Sequence, residues 1–140
     1  AGKCGFGSVY FSRLEPNTKI TEHCGPTNIR WRCHLPLIVP KRHGTEGWGS
    51  YLCVGLPGVN EMRQEWREGV PILFDDSFLH SAVHLGDNGS CYAETNNYHD
   101  SIATAADMKG ARIVLIVDFW HPSLTEMDRS ALGVLYPPGS

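Results

Sequence analysis

The sequence has no basic block: its 12 lysines and arginines are set against 15 acidic residues for a formal charge of −3, spread along the chain. The electrostatic stripe that grips a phosphate backbone is therefore missing, which argues against nucleic acid as a partner. No apolar run approaches the roughly 18–20 residues of a membrane span, and no basic-then-apolar export signal opens the chain. This segment is not expected to insert in a membrane, and the compartment stays open. Cysteine is sparse, at five residues (Cys4, Cys24, Cys33, Cys53 and Cys91), and no pair has C-x-x-C spacing. That argues against a zinc ribbon or a thioredoxin-like site and allows one disulfide or none, with at least one thiol free or paired outside this chain. Helix signals are also nearly absent.

What is present is a chain of 140 residues, 41% hydrophobic and 10% aromatic, the size of one domain with a real core. We read 1–140 as a single domain, and its abrupt start at Ala1, just ahead of a strand-like segment, as that of a fragment of a longer protein. Fifteen glycines and nine prolines punctuate short runs rich in Val, Ile, Phe and Tyr. This pattern predicts an all-β fold. Strands are expected at 8–14, 18–22, 29–39, 49–54, 63–66, 70–74, 82–84 and 111–119. One short helix is expected at Met127 to Leu135, with Thr125 or Ser123 accepting hydrogen bonds from its first turn. Between Leu85 and Gly110 the composition turns to Gly, Asn, Asp, Ser and Thr, and the segment reads as a long loop.

Side chains alternate along a strand, so Arg30, Arg32 and His34 share one face of the 29–39 segment, opposite Trp31, Cys33, Leu35 and Leu37. If both faces are buried, two guanidinium groups and an imidazole enter an interior where unpaired charge is costly, and they need anions. A small dicarboxylic acid suits their planar donors. The alternative is a solvated face carrying ordinary surface arginines. Arg112 opens the 111–119 strand, where the simplest reading is a side chain snorkelling to solvent.

Among seven histidines, His23 and His80 each sit where a strand meets a loop. Two histidines and one carboxylate make a facial metal site with open positions for a chelating cosubstrate and oxygen. The usual carboxylate is missing, because the position two beyond His23 is Gly25. A third ligand must be water or come from elsewhere. Asp75 and Asp76 are candidates by chemistry, although such residues more often cap a turn or orient a ligand. Cys24 is read as packing.

Four blocks, Glu22-His23-Cys24-Gly25-Pro26-Thr27-Asn28, Arg30-Trp31-Arg32-Cys33-His34-Leu35, Phe74-Asp75-Asp76-Ser77-Phe78-Leu79-His80 and Asp118-Phe119-Trp120-His121-Pro122, occur in this order. Together they resemble the aspartyl/asparaginyl β-hydroxylase family, whose members are Fe(II)- and 2-oxoglutarate-dependent oxygenases. The segment Asp76 to His80 and the ending Leu132 to Gly139 look most like its aspartate β-hydroxylase domain-containing branch. The resemblance implies a double-stranded β-helix, a jelly-roll of two facing sheets.

It also implies that His23 and His80 are the metal ligands and catalytic centre, with Gly25 where a carboxylate would be. The 2-oxoglutarate cosubstrate would be held by Ser12, Arg32, His34 and Arg112. Arg32 and His34 would serve the end near the metal, and Arg112 and Ser12 the distal carboxylate. Arg30 matches a position that pairs with an acidic substrate. The implied reaction uses O2, decarboxylates 2-oxoglutarate to succinate and hydroxylates a substrate C–H bond. The implied partner is a polypeptide or a small acidic substrate.

The sequence departs from better-known members at Trp31, in the glycine-rich stretch Gly44 to Gly49 and in the length of the 85–110 loop. These departures bear on the substrate. Related bacterial proteins hydroxylate lipid acyl chains, so the family alone does not fix it. Two other readings remain: a β-helix binding module that has lost turnover, and a cupin-like metal protein of other chemistry. The first has no reason to keep the whole constellation, and the second leaves the arginines without an occupant.

Overall fold

The computed structural model describes residues 7–41, 49–86, 93–95 and 110–135. Nine strands and one helix follow in order: β1 (Val9–Leu14), β2 (Thr18–His23), β3 (Arg30–Ile38), β4 (Ser50–Val54), β5 (Met62–Glu65), β6 (Ile72–Phe74), β7 (His80–His84), β8 (Ala93–Thr95), β9 (Arg112–Trp120) and α1 (Glu126–Leu135). One sheet has the order β1-β9-β3-β6 and the other β5-β4-β7-β2-β8. The chain therefore passes from sheet to sheet at almost every connection. That alternation, with antiparallel pairing everywhere except between β2 and β8, is the winding of a jelly-roll.

The long apolar run of β9 arises because both of its faces are apolar, and burial separates them. Arg112, Val114, Ile116 and Asp118 are buried, while Ile113, Leu115 and Val117 are half-buried and Phe119 is exposed on the outer face. Strand β3 lies beside it, pairing Arg32 with Asp118, His34 with Ile116 and Pro36 with Val114. A bulge follows directly after Pro36, where the missing N–H interrupts the ladder. Leu14, Val39, Leu52, Trp66, Ala82, Val114 and Ile116 close the core between the sheets. Burying these side chains is the main favourable term holding the two layers together.

The predicted strands match to within one or two residues at each end. The long-loop expectation for 85–110 is corrected at 93–95, where β8 adds to the edge of the second sheet, parallel to β2, with Thr18 opposite Ala93 and Ile20 opposite Thr95. The rest of that segment from 87 to 109 lies outside the described residues. The C-terminal helix forms one residue earlier than expected, with Thr125 as its cap. Thr125 Oγ1 accepts from the Asp128 amide at 3.2 Å, and Asp128 Oδ2 accepts from the Thr125 amide at 2.9 Å. No residue of α1 is buried.

Candidate active site between the sheets

The two sheets contribute different chemistry to the space between them. From the second sheet come buried His80 and, at the exposed end of β2, His23, which are directly opposite one another across the β2–β7 pairing, past an irregularity between Ile20 and His23. Their ring centroids are 4.2 Å apart and the rings are inclined at 54°. Each Nδ1 lies 2.8 Å from a backbone carbonyl two residues earlier, His23 from Thr21 and His80 from Phe78. A carbonyl can only accept, so each Nδ1 carries the proton and each Nε2 presents its lone pair. This is how proteins fix the tautomer of a metal-ligating imidazole. Burial first, then the neighbouring His23 and Arg32, hold His80 below its ordinary histidine value, against the Phe78 carbonyl and Asp76, so the ring is neutral.

Gly25 supplies no ligand, and it has no room for a side chain. A Cβ there would lie 2.5 Å from both Cγ and Oδ2 of Asp76 and 2.9 Å from its carbonyl oxygen, which already accepts the Gly25 amide at 2.6 Å. Among the described residues no group of three or more His, Cys, Asp and Glu side chains is arranged to hold a metal ion. The donors nearest that description are the two imidazoles, His23 and His80, which number only two.

From the first sheet come the charged groups, and here the structure adds to the sequence reading. Arg30, Arg32 and His34 do face inward, but the anions beside the arginines belong to the chain itself. Arg32 grips Asp118 side-on, Nε to Oδ1 at 2.8 Å and Nη2 to Oδ2 at 3.0 Å, and its Nη1 is 3.1 Å from Asp76 Oδ2. Arg30 reaches Asp76 Oδ2 with Nη2 at 3.0 Å and Asp118 Oδ2 with Nη1 at 3.1 Å. Both carboxylate side chains are 0% exposed. Two cations and two anions thus form one buried neutral quartet. Burial works against the Arg32 charge, but the Asp118 hydrogen bonds together with the charges of Tyr10, Asp118 and Asp76 outweigh it and raise Arg32 above the ordinary arginine value. Asp75, by contrast, caps its turn by accepting the Ser77 amide at 2.9 Å.

Arg112 is 1% exposed, so the snorkelling reading is wrong: the inward parity of β9 carries its side chain into the interior. Its Nη2 donates to Ser12 Oγ at 2.9 Å, and its guanidinium lies over the Trp66 ring, 4.5 Å from the centroid. His34 stacks on the same indole at 5.8 Å and 25°, and meets Phe74 edge-on, as His80 does. Burial, followed by the charges of Arg112, Arg32 and His80, pushes His34 well below the ordinary histidine range. A neutral imidazole, a buried arginine and a serine hydroxyl are thus linked through Trp66, and Phe74 joins the imidazole to His80.

Sequence reasoning missed Asp118 and Trp66. Asp118 shares the inward parity of Arg112 along β9, a signal that the alternation of the strand carried. Cys24 is exposed rather than packed, and Cys24, Cys33 and Cys53 are free thiols; Cys4 and Cys91 lie outside the described residues.

Residues 1–90 match the family described as Aspartyl/Asparaginyl beta-hydroxylase. The chain belongs to the aspartyl/asparaginyl β-hydroxylase family. It is 42% identical over 134 residues to human aspartate beta-hydroxylase domain-containing protein 2, covering 96% of this chain and 28% of that relative. Mouse aspartyl/asparaginyl beta-hydroxylase is 33% identical over 129 residues, covering 92% of this chain and 13% of that protein. The chain thus spans less than a third of the length of these relatives. A cupin domain from Bordetella pertussis is similar at a TM-score of 0.44 and 11% identity, over 79% of this chain and 78% of that one. That likeness is too distant to carry an argument, and the jelly-roll assignment rests on strand order. Among the described residues no helix is long and apolar enough to cross a membrane.

Proposed function

We propose that this β-hydroxylase-family domain is an Fe(II)- and 2-oxoglutarate-dependent dioxygenase that hydroxylates a substrate C–H bond, with the β-carbon of an aspartyl or asparaginyl residue, or a related acidic substrate, as its target. The observation that carries the reading is the joining of two dissimilar sets in one space. The tautomer-fixed pair His23 and His80 is joined through the Phe74 ring to His34, and His34 shares the Trp66 indole with Arg112, which is bonded to Ser12, a set of donors suited to a carboxylate. Iron and 2-oxoglutarate, when bound, would supply the oxygen activation, with O2 as the oxidant and 2-oxoglutarate as its two-electron reductant.

The chain's own residues have narrower tasks. His23 and His80 offer Nε2 lone pairs, with backbone carbonyls preventing the rings from turning. Arg112 and Ser12 present N–H and O–H donors to a distal carboxylate, and a guanidinium set in a buried wall suits that anion better than a solvated lysine. His34, held neutral, can donate one hydrogen bond without adding a second positive charge next to Arg112. The Asp76–Arg30–Arg32–Asp118 quartet keeps Arg32 in one orientation through its side-on pair. An acidic substrate group reaches Arg30 only by sharing it with Asp76 or Asp118, so Arg30 is the residue on which the substrate class turns.

The test is anaerobic titration of 2-oxoglutarate into the iron-loaded protein and its Arg112→Lys and Arg112→Met variants, followed by assay of succinate release with acidic peptides and amino acids. Lysine keeps charge but loses the fork, so affinity falls appreciably. Methionine leaves a buried carboxylate unpartnered, at roughly 3–5 kcal/mol, or at least about a hundredfold in affinity. Iron binding stays nearly unchanged in both variants. Equal affinity in all three proteins would remove Arg112 from the site, and no 2-oxoglutarate binding by the wild type would end the oxygenase reading.

A further inference from the structure

Trp66 lies at the end of the β5 segment and is the largest fully buried side chain described, with 0% exposure. Two of the groups assigned above to 2-oxoglutarate rest against it. The Arg112 guanidinium lies over the ring 4.5 Å from its centroid, and the His34 ring is nearly parallel to it at 5.8 Å and 25°. Its own position is fixed by the backbone, since the Trp66 amide donates to the Ser50 carbonyl at 3.0 Å. An aromatic face at this distance attracts a guanidinium and orients its plane, and the attraction strengthens when water is excluded. The hydroxyl of Ser12 fixes one end of the Arg112 fork and the indole fixes its plane. The indole N–H, in contrast, is buried with no hydrogen-bond partner, so the ring's attachment to its neighbours runs through its face.

We propose that Trp66 is a positioning residue of the cosubstrate pocket, its indole face setting Arg112 and His34 in the orientation that receives the two ends of a dicarboxylate. This rests on the oxygenase reading for the identity of the ligand, but the contact itself does not. The role belongs to the ring face and not to the N–H, so phenylalanine should largely replace tryptophan while leucine should not.

Two measurements on the iron-loaded protein, the wild type compared with Trp66→Phe and Trp66→Leu, test this. In the first, anaerobic 2-oxoglutarate titration, Trp66→Phe should bind within about threefold of the wild type. Trp66→Leu should bind about tenfold or more weakly, with iron affinity unchanged in both. In the second, made without cosubstrate and with a diamagnetic metal in place of iron, the Arg112 side-chain N–H resonances should be shifted upfield by the indole ring current. That shift should survive in Trp66→Phe and vanish in Trp66→Leu. Loss of affinity in Trp66→Phe equal to that in Trp66→Leu would assign the role to the N–H and overturn the proposal. So would an unshifted Arg112 signal in the wild type, which decides the matter even if Trp66→Leu does not fold. A shifted Arg112 signal in a wild type that binds no 2-oxoglutarate would leave the Trp66 contact standing and remove the oxygenase reading instead.

Discussion

Replacing Asp118 with asparagine tests whether the four charges between the sheets act as one unit. Asp118 accepts from Arg32 at 2.8 and 3.0 Å and from the Ser8 amide at 3.0 Å, and it lies 3.1 Å from Arg30 Nη1. The Asp118 side chain is 0% exposed and those of Arg30 and Arg32 are 8% and 14%, so solvent screens the group little. Asparagine keeps the shape but removes the charge and turns an amide NH2 toward a guanidinium, leaving two cations with Asp76 alone. Breaking a buried pair from one side costs roughly 3–5 kcal/mol, a large part of a typical domain stability of about 5–15 kcal/mol. For a chain of this length that corresponds to a fall in Tm on the order of 10–15 °C. Urea unfolding followed by tryptophan fluorescence measures it. The control is Glu15→Gln, which breaks the Arg13–Glu15 pair; that contact is shorter, at 2.5 Å, but 26% and 52% exposed, and should cost no more than about 1 kcal/mol. If Asp118→Asn unfolds within about 1 kcal/mol of the wild type, the quartet does not act as a unit and the account of Arg32 fails.

Replacing either His23 or His80 with alanine should abolish iron binding, read by anaerobic metal titration; undiminished binding in either variant would remove that residue from the metal site. His34, His80 and His84 are each held below the ordinary histidine value, mainly by burial. The folded state therefore binds fewer protons than the unfolded one below about pH 6.5, so stability is fully present above that value and falls as pH drops toward the lowered folded values. The urea midpoint should be lower at pH 5.5 than at pH 7.5, and a flat or rising midpoint on acidification would contradict the burial of neutral imidazoles. Thr125→Ala removes the hydroxyl's contacts with Asp128, leaving the Thr125 amide donating to Asp128 Oδ2, and should cost the helix about 1 kcal/mol, seen as lost helical dichroism. Because no residue of α1 is buried, the midpoint of global unfolding should hardly move, and a large shift would mean that the helix is part of the cooperative core.

The parity of β3 was legible without coordinates, because Arg30, Arg32 and His34 stand at alternate positions in an otherwise apolar run. Strand ends were also legible, since glycine, proline and asparagine mark where pairing stops. The partners of the arginines were not. Asp118 meets Arg32 because β3 and β9 pair antiparallel in one register, and Asp76 meets both arginines because the turn after β6 folds back under Gly25. Register and approach of that kind are set by the packing of distant segments. The sequence shows that two buried cations need anions, but not whether the chain or a ligand supplies them. Strand β8 was hidden for a related reason: three residues at a sheet edge carry too short a pattern to stand out from a polar stretch. Trp66 read as an ordinary strand residue, because only the fold brings Arg112 and His34 to its faces.

The crowding at Gly25 also constrains how this centre can change over evolution or under design. Even one methyl group there collides with Asp76, and moving Asp76 aside takes a counterion from Arg30 and Arg32 together. A third protein ligand at this position is therefore out of reach of any single substitution: it requires concerted replacement of Gly25, Asp76 and at least one arginine. Under the two-histidine reading proposed above, the number of metal ligands and the charge balance of the interior would change only together.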